Sequence, residues 1–174
     1  MRRLLIACLA LALSGCWAGL SLFHPSDAVR AIPPGAYMAS AAGEPQRVYR
    51  VSALPNGMTQ FDSNDEKRQV YGFAPLDPGS FVGWWEIELD PVGRPTADAE
   101  NQMYALMVRR ADGRFAIYLP SCEDEDASLA RKHGAVVGTG ASPTCRFSDR
   151  AGLENALRRL PRRDADAMIL TRIP

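Results

Sequence analysis

Histidine is scarce in this chain: His24 and His133 are the only two imidazoles among 174 residues. The scarcity argues against chemistry built on a histidine base, because a nucleophilic triad needs an imidazole beside its serine or cysteine. No Gly-x-Ser-x-Gly elbow, phosphate-cradling Gly-x-x-x-x-Gly-Lys or zinc-binding His-Glu-x-x-His occurs either. Gly138-Thr139-Gly140 lacks the third glycine and the long preceding strand of a dinucleotide site. The expectation is therefore no catalysis, no metal and no cofactor. Lysine is as rare, with Lys67 and Lys132 alone, and 20 basic residues are balanced by 20 acidic ones. A neutral chain has no electrostatic reason to seek nucleic acid. Long hydrophobic runs are missing too. The longest, Leu4 to Leu13, spans about ten residues, against the roughly 20 that a membrane-crossing helix needs.

That short run has a telling context. Arg2 and Arg3 precede it, and Leu13-Ser14-Gly15-Cys16 follows it. Charge, apolar stretch and small-residue cleavage site, in that order, make a secretory signal. With cysteine placed first after the cut, Leu13-Ser14-Gly15-Cys16 resembles the lipobox of bacterial lipoproteins. Leu5-Ile6-Ala7-Cys8 fits the same loose pattern but leaves almost no apolar region ahead of it. The resemblance implies a diacylglyceryl group on the Cys16 sulfur, cleavage before Cys16 and acylation of the new amino terminus. Two or more fatty chains anchor a protein stably, whereas one does not. Asp after the cysteine favours the inner membrane in such lipoproteins. Trp17 stands there instead, which points to the outer membrane of the cell envelope, facing the periplasm. The partners implied are the membrane, through Cys16, and an envelope protein.

Cys122 and Cys145 remain in the mature chain. An even pair in an exported protein predicts a disulfide. Its loop of 145 − 122 = 23 residues is worth roughly 3 to 3.5 kcal/mol on the chain-entropy view. A zinc pair or a catalytic thiol is the alternative, and it lacks both a Cys-x-x-Cys and a histidine cluster.

Residues 16–33 show no periodicity and end in Pro33-Pro34-Gly35, so they read as a lipidated terminus and tether with a reach of about 60 Å. Residues 34–174 read as one globular domain. Between 34 and 120 the grammar is that of strands. Tyr49, Val51 and Ala53 alternate with polar residues, and Asn56-Gly57 turns the chain into Met58 to Phe61. Val70 to Phe73 is a further strand. In Phe81 to Leu89 the residues Phe81, Trp85, Ile87 and Leu89 face one way, with Glu86 and Glu88 opposite. Met103 to Val108 is apolar on both faces and belongs in a doubly covered strand. Asp112-Gly113 then turns it into Arg114 to Leu119. Pro34-Gly35-Ala36-Tyr37 and Pro78-Gly79-Ser80-Phe81 echo each other and each opens a strand. Beyond Pro120 the pattern becomes helical. Glu123 to Asp126 opens a helix running to His133, with Gly134 behind it, and Ser148 caps one carrying Leu153, Leu157 and Leu160. Ala135 to Val137 and Ala167 to Ile173 are strands. The fold class expected is α+β, mainly β: an antiparallel meander able to curl into a barrel over 34–120, then a disulfide-tied α/β tail over 121–174.

Four groups are candidates for function. Glu86 and Glu88, about 7 Å apart on one strand face, have the spacing of an inverting glycosidase pair. The acidic run Glu123 to Asp126 lacks the spaced ligands and central glycine of a calcium loop. Arg158, Arg159, Arg162 and Arg163 cluster by the last helix, where they complement its dipole or face anionic headgroups. Gly83-Trp84-Trp85-Glu86-Ile87 is similar to the Gly-x-Trp signature of lipocalins, which implies a barrel binding a small hydrophobic ligand near Trp84. In that family the motif opens the first strand, and the 91 residues after Gly83 are too few for eight strands. The favoured expectation is a membrane-anchored envelope lipoprotein with a partner-binding or structural role. The alternatives are a barrel carrier of a hydrophobic ligand and a cell-wall glycosidase. Growth on labelled palmitate should label the protein, and Cys16→Ala should abolish the label. An unlabelled wild type, or label surviving that substitution, contradicts the lipobox.

Overall fold

Side chains along a strand alternate between its two faces, so an apolar set with period two must find a common interior. In this protein the solution is a barrel. The computed structural model describes residues 17–63, 68–86, 102–138 and 143–174, with Glu86 described by its backbone alone. Its strands are β1 (Trp17–Gly19), β2 (Gly35–Ser40), β3 (Arg47–Ala53), β4 (Thr59–Asp62), β5 (Gln69–Asp77), β6 (Ser80–Glu86), β7 (Gln102–Arg109), β8 (Phe115–Tyr118), β9 (Val136–Val137), β10 (Cys145–Phe147) and β11 (Ala167–Arg172). Two helices, α1 (Asp124–Lys132) and α2 (Arg150–Arg159), lie between β8 and β11 in the chain. The chain divides into two compact units: residues 23–85, 105–119 and 161–174 in one, and 17–22, 86–104 and 120–160 in the other.

The first unit is an eight-stranded antiparallel barrel of β2 to β8 and β11. Each of β2 to β7 pairs with its successor in the chain, and β11 lies between β8 and β2. The β6–β7 pairing completes the ring, with Arg109 N–H donating to the Gly79 carbonyl at 2.7 Å. Register puts the apolar set inside: Tyr37 faces Tyr49, Val51 faces Phe61, Met107 faces Ile117, and Leu170 faces both Phe115 and Ala39. A closed ring leaves no free sheet edge. The mainly-β fold and its meander are thus as expected, with two differences. The eighth barrel strand, β11, comes from the tail rather than from 34–120. The barrel also starts well before Gly83, which is why the residues after that glycine did not have to supply eight strands.

The outer face of the barrel is covered where β5 meets β6. Trp84 is buried there, opposite Gly72, and Phe23 stacks on it with ring centroids 5.0 Å apart. A Cβ on Gly72 would lie 2.1 Å from the Trp84 ring, so the tryptophan seats only because that position is glycine. Val29 N–H donates to the Phe73 carbonyl at 2.8 Å, and Ile32 is buried in the barrel core. The tether expected over 16–33 is therefore corrected from Phe23 onward: these residues are part of the packed fold.

The correction extends to the second unit. There β1 runs parallel to β10, pairing Trp17 with Cys145, and antiparallel to the start of β7, pairing Ala18 with Met103. Trp17 is fully buried, lies 5.1 Å from the Phe147 ring, and donates from Nε1 to the Ser121 carbonyl at 2.8 Å. Gly19 is required, because a Cβ would come within 2.3 Å of the Phe147 carbonyl oxygen. The Tyr104 hydroxyl donates to the Leu20 carbonyl and accepts from Leu22 N–H. Burial pushes that phenol well above its usual range. An aperiodic segment has become a central strand because its large side chains fill a core.

The helices follow their sequence signals. Leu153, Ala156 and Leu157 form the buried stripe of α2, and Leu160 closes it. Asp149 rather than Ser148 is its N-cap, accepting from Gly152 N–H at 2.7 Å. Both residue types cap well, and the position differs by one. Acids open α1, Arg131 and Lys132 close it, and Gly134 follows with φ +87°. The Cys122–Cys145 disulfide forms, with 5.3 Å between Cα atoms, and ties the residues before α1 to β10. Gly72→Ala should lower stability by about 1–3 kcal/mol through displacement of the Trp84 ring. Urea unfolding checks this, and an unchanged midpoint would contradict the packing.

Candidate functional site

Eight strands enclose an interior that side chains just fill, or that holds one small ligand. Here one end is filled and the other is not. At the end where β2 begins, Ile32, Tyr37 and Phe115 pack together in the core, with the Tyr37 and Phe115 rings edge to face. The Tyr37 hydroxyl donates to the Pro33 carbonyl at 2.8 Å, and Arg172 Nη2 donates to the Pro34 carbonyl at 3.2 Å. Burial raises the Tyr37 phenol above its ordinary range, and the Arg172 charge opposes part of that rise. That end is plugged.

At the opposite end the interior opens into a cup of about 100 Å³. Phe61, Phe73, Ile117 and Leu170 form its floor and walls, and Tyr71, Trp85, Leu119 and Met168 rise to its rim. The space exists because Gly83 and Ala105 are small where aromatic neighbours cannot reach across. A Cβ on Gly83 would already lie 3.2 Å from the Phe73 ring and 3.7 Å from Ala105 Cβ. The aromatic rings brace one another. Tyr71 stands edge-on to Phe61 at 5.2 Å and to Trp85 at 5.4 Å, and Phe61 stands edge-on to Tyr49 at 5.9 Å. Such contacts add about 0.5–1.5 kcal/mol each beyond area burial, so the cup is preformed.

The polar groups lining this cup are few. The Tyr71 hydroxyl donates to Gln69 Oε1 at 2.5 Å, and Tyr49 adds a second phenol. Among the described residues no carboxylate, imidazole, thiol or cation lines it. A lining of this composition is suited to apolar groups.

Candidate residues from the sequence fall elsewhere. Trp84, named by the Gly-x-Trp resemblance, points out of the barrel beneath Phe23 and does not line the cup, whereas its neighbour Trp85 does. Glu88 and the Glu86 side chain lie outside the described residues, as does Cys16. Arg158 bonds Glu154 at 3.5 Å along α2, and Arg159 is exposed in the last turn of the same helix. Arg162 and Arg163 are exposed beyond it, Arg163 heading a short turn over Asp164–Asp166. In the acidic run, Asp126 accepts from Ser121 N–H at 3.1 Å, and three acids occupy the first turn of α1. Among the described residues no cluster of three or more metal-ligating side chains occurs. The signal that could have found the cup was the Phe81–Trp85 alternation, because it turned Trp85 inward.

No protein-family model, curated protein or solved structure matches the chain. Ala105→Leu should fill the cup while keeping the far-UV spectrum of the barrel. Benzene, which occupies apolar cavities of roughly 150 Å³, should then lose binding to this variant but not to the wild type. Equal benzene uptake by both would contradict the placement of the cup.

Proposed function

We propose that this protein is a lipid-anchored envelope lipoprotein whose barrel is a non-catalytic binding module. Its cup takes a slim apolar group, such as the end of an acyl chain or a single ring. The preformed aromatic cup with uncharged walls supports this reading. Its size restricts the occupant. Ordinary ligand pockets enclose about 300–1,000 Å³, and this cup holds about 100 Å³. That is space for roughly four methylenes, worth about 0.8 kcal/mol each. The resulting ~3 kcal/mol corresponds to millimolar affinity or weaker for a free chain end.

Affinity that weak does not suit a carrier scavenging dilute ligand. It suits a module held beside a concentrated source, where linkage supplies effective concentrations in the millimolar range. The lipid on Cys16 would provide that proximity to membrane and envelope components. A partner-binding role and a hydrophobic-ligand role thereby merge: the cup grips an apolar end presented by something already close. Anchoring and weak capture belong together.

Titration with octanoate should change the emission of Trp85 with saturation in the millimolar range. Trp85→Phe should remove that change, and Ala105→Leu should abolish binding. An octanoate response that persists in both variants would place the ligand elsewhere and overturn the reading.

A further inference from the structure

The anchor and the fold leave almost no chain between them. The lipid-bearing position in the proposed reading is Cys16, and Trp17, the next residue, is fully buried. Neighbouring Cα atoms are about 3.8 Å apart across a peptide bond, so the leash of about 60 Å read from the sequence contracts to a single link.

That link cannot lengthen cheaply. β1 is held on both sides, by β10 in parallel and by β7 in antiparallel. Trp17 Nε1 is bonded to the Ser121 carbonyl at 2.8 Å, and the buried Tyr104 hydroxyl clamps the backbone at Leu20 and Leu22. Freeing the strand exposes a wholly buried tryptophan and breaks both ladders.

We infer that the sheet of β1, β10 and β9 is a membrane-docking surface, held flush on a phospholipid bilayer by the anchor at Cys16. The inference rests on the lipid anchoring proposed above. Register brings Ala18, Arg146 and Val136 onto one face of this sheet, where Ala18 is buried and the open part is the β10–β9 side. Val136 is 72 % exposed, Arg146 is exposed, and Leu20, 49 % exposed, follows directly on β1. An exposed valine beside an arginine suits an interface where apolar and anionic groups meet. Strand spacing puts β9 about 10 Å from β1, so Val136 must come near the headgroups if the chain joins the bilayer at Trp17. The bilayer is the occupant because the covalent anchor delivers it there, before any diffusing partner.

The test uses full-length, lipid-bearing protein with Val136→Cys, labelled with bimane, in phosphatidylethanolamine–phosphatidylglycerol vesicles containing a headgroup nitroxide lipid. A second version carries 20 Gly/Ser residues between Cys16 and Trp17, a spacer with a root-mean-square span of about 25 Å. Mass spectrometry of both preparations reports the lipid, and circular dichroism reports the fold. Docking predicts at least about twofold stronger quenching without the spacer than with it. Equal quenching in two lipid-bearing preparations, at either level, overturns the docking surface and leaves the anchoring reading standing. Spectra showing no lipid on Cys16 overturn the anchoring and the docking together.

Discussion

The pairing of β11 with β2 is the contact on which the barrel depends. It joins Ile169 to Ser40 and Arg172 to Tyr37, segments about 130 residues apart in the chain. Such a long closure costs chain entropy that only burial recovers. Here the recovery comes from Leu170, which is fully buried between Phe115 and Ala39. Without that ladder β2 and β11 would both be free edges, and the aromatic residues inside would line an open sheet. Closure converts a hydrophobic face into a cavity with a bottom.

What the cavity becomes then follows from side-chain size. One end is stopped by Tyr37, Phe115 and Ile32, and the other is left short of volume by Gly83 and Ala105. The rings of Tyr49, Phe61, Tyr71 and Trp85 hold one another at fixed angles, so the cup does not need to form on binding. Its uncharged walls favour apolar groups, and its small volume keeps affinity low. Low affinity has functional meaning only with proximity, and this links the cup to the proposed anchor. The second unit contributes to the same logic from the chain's beginning. Trp17 converts a linker into a strand, so under the proposed anchoring the position and orientation relative to a membrane would become properties of the fold.

Much of this was legible in the sequence, for local reasons. Tyr49 and Val51 alternate with polar neighbours, and Asp112-Gly113 supplies the turn that a hairpin needs. The α2 stripe and the cysteine pair depend on spacing alone and were read correctly. Other features depend on distant partners. Nothing near Ala167–Arg172 says that it closes on β2, because period two gives a face but not a neighbour. Trp17 and Phe23 lack a periodic context, and their burial is decided by Phe147, Ser121 and Trp84. Trp84 misled for a related reason: β6 is covered on both faces near it, so an outward tryptophan is as buried as an inward one. Its neighbour Trp85, half-buried at the rim, is the one that lines the cup.

The central claim is that the barrel grips an apolar end inside the cup. Nuclear Overhauser contacts from the ¹³C-labelled terminal methyl of bound octanoate test it most directly. The account predicts contacts to ring protons of Phe61, Tyr71 and Trp85 and to the Ile117 methyl groups. Contacts confined to Phe23 and Trp84 on the outer face, or none at saturating ligand, would contradict it.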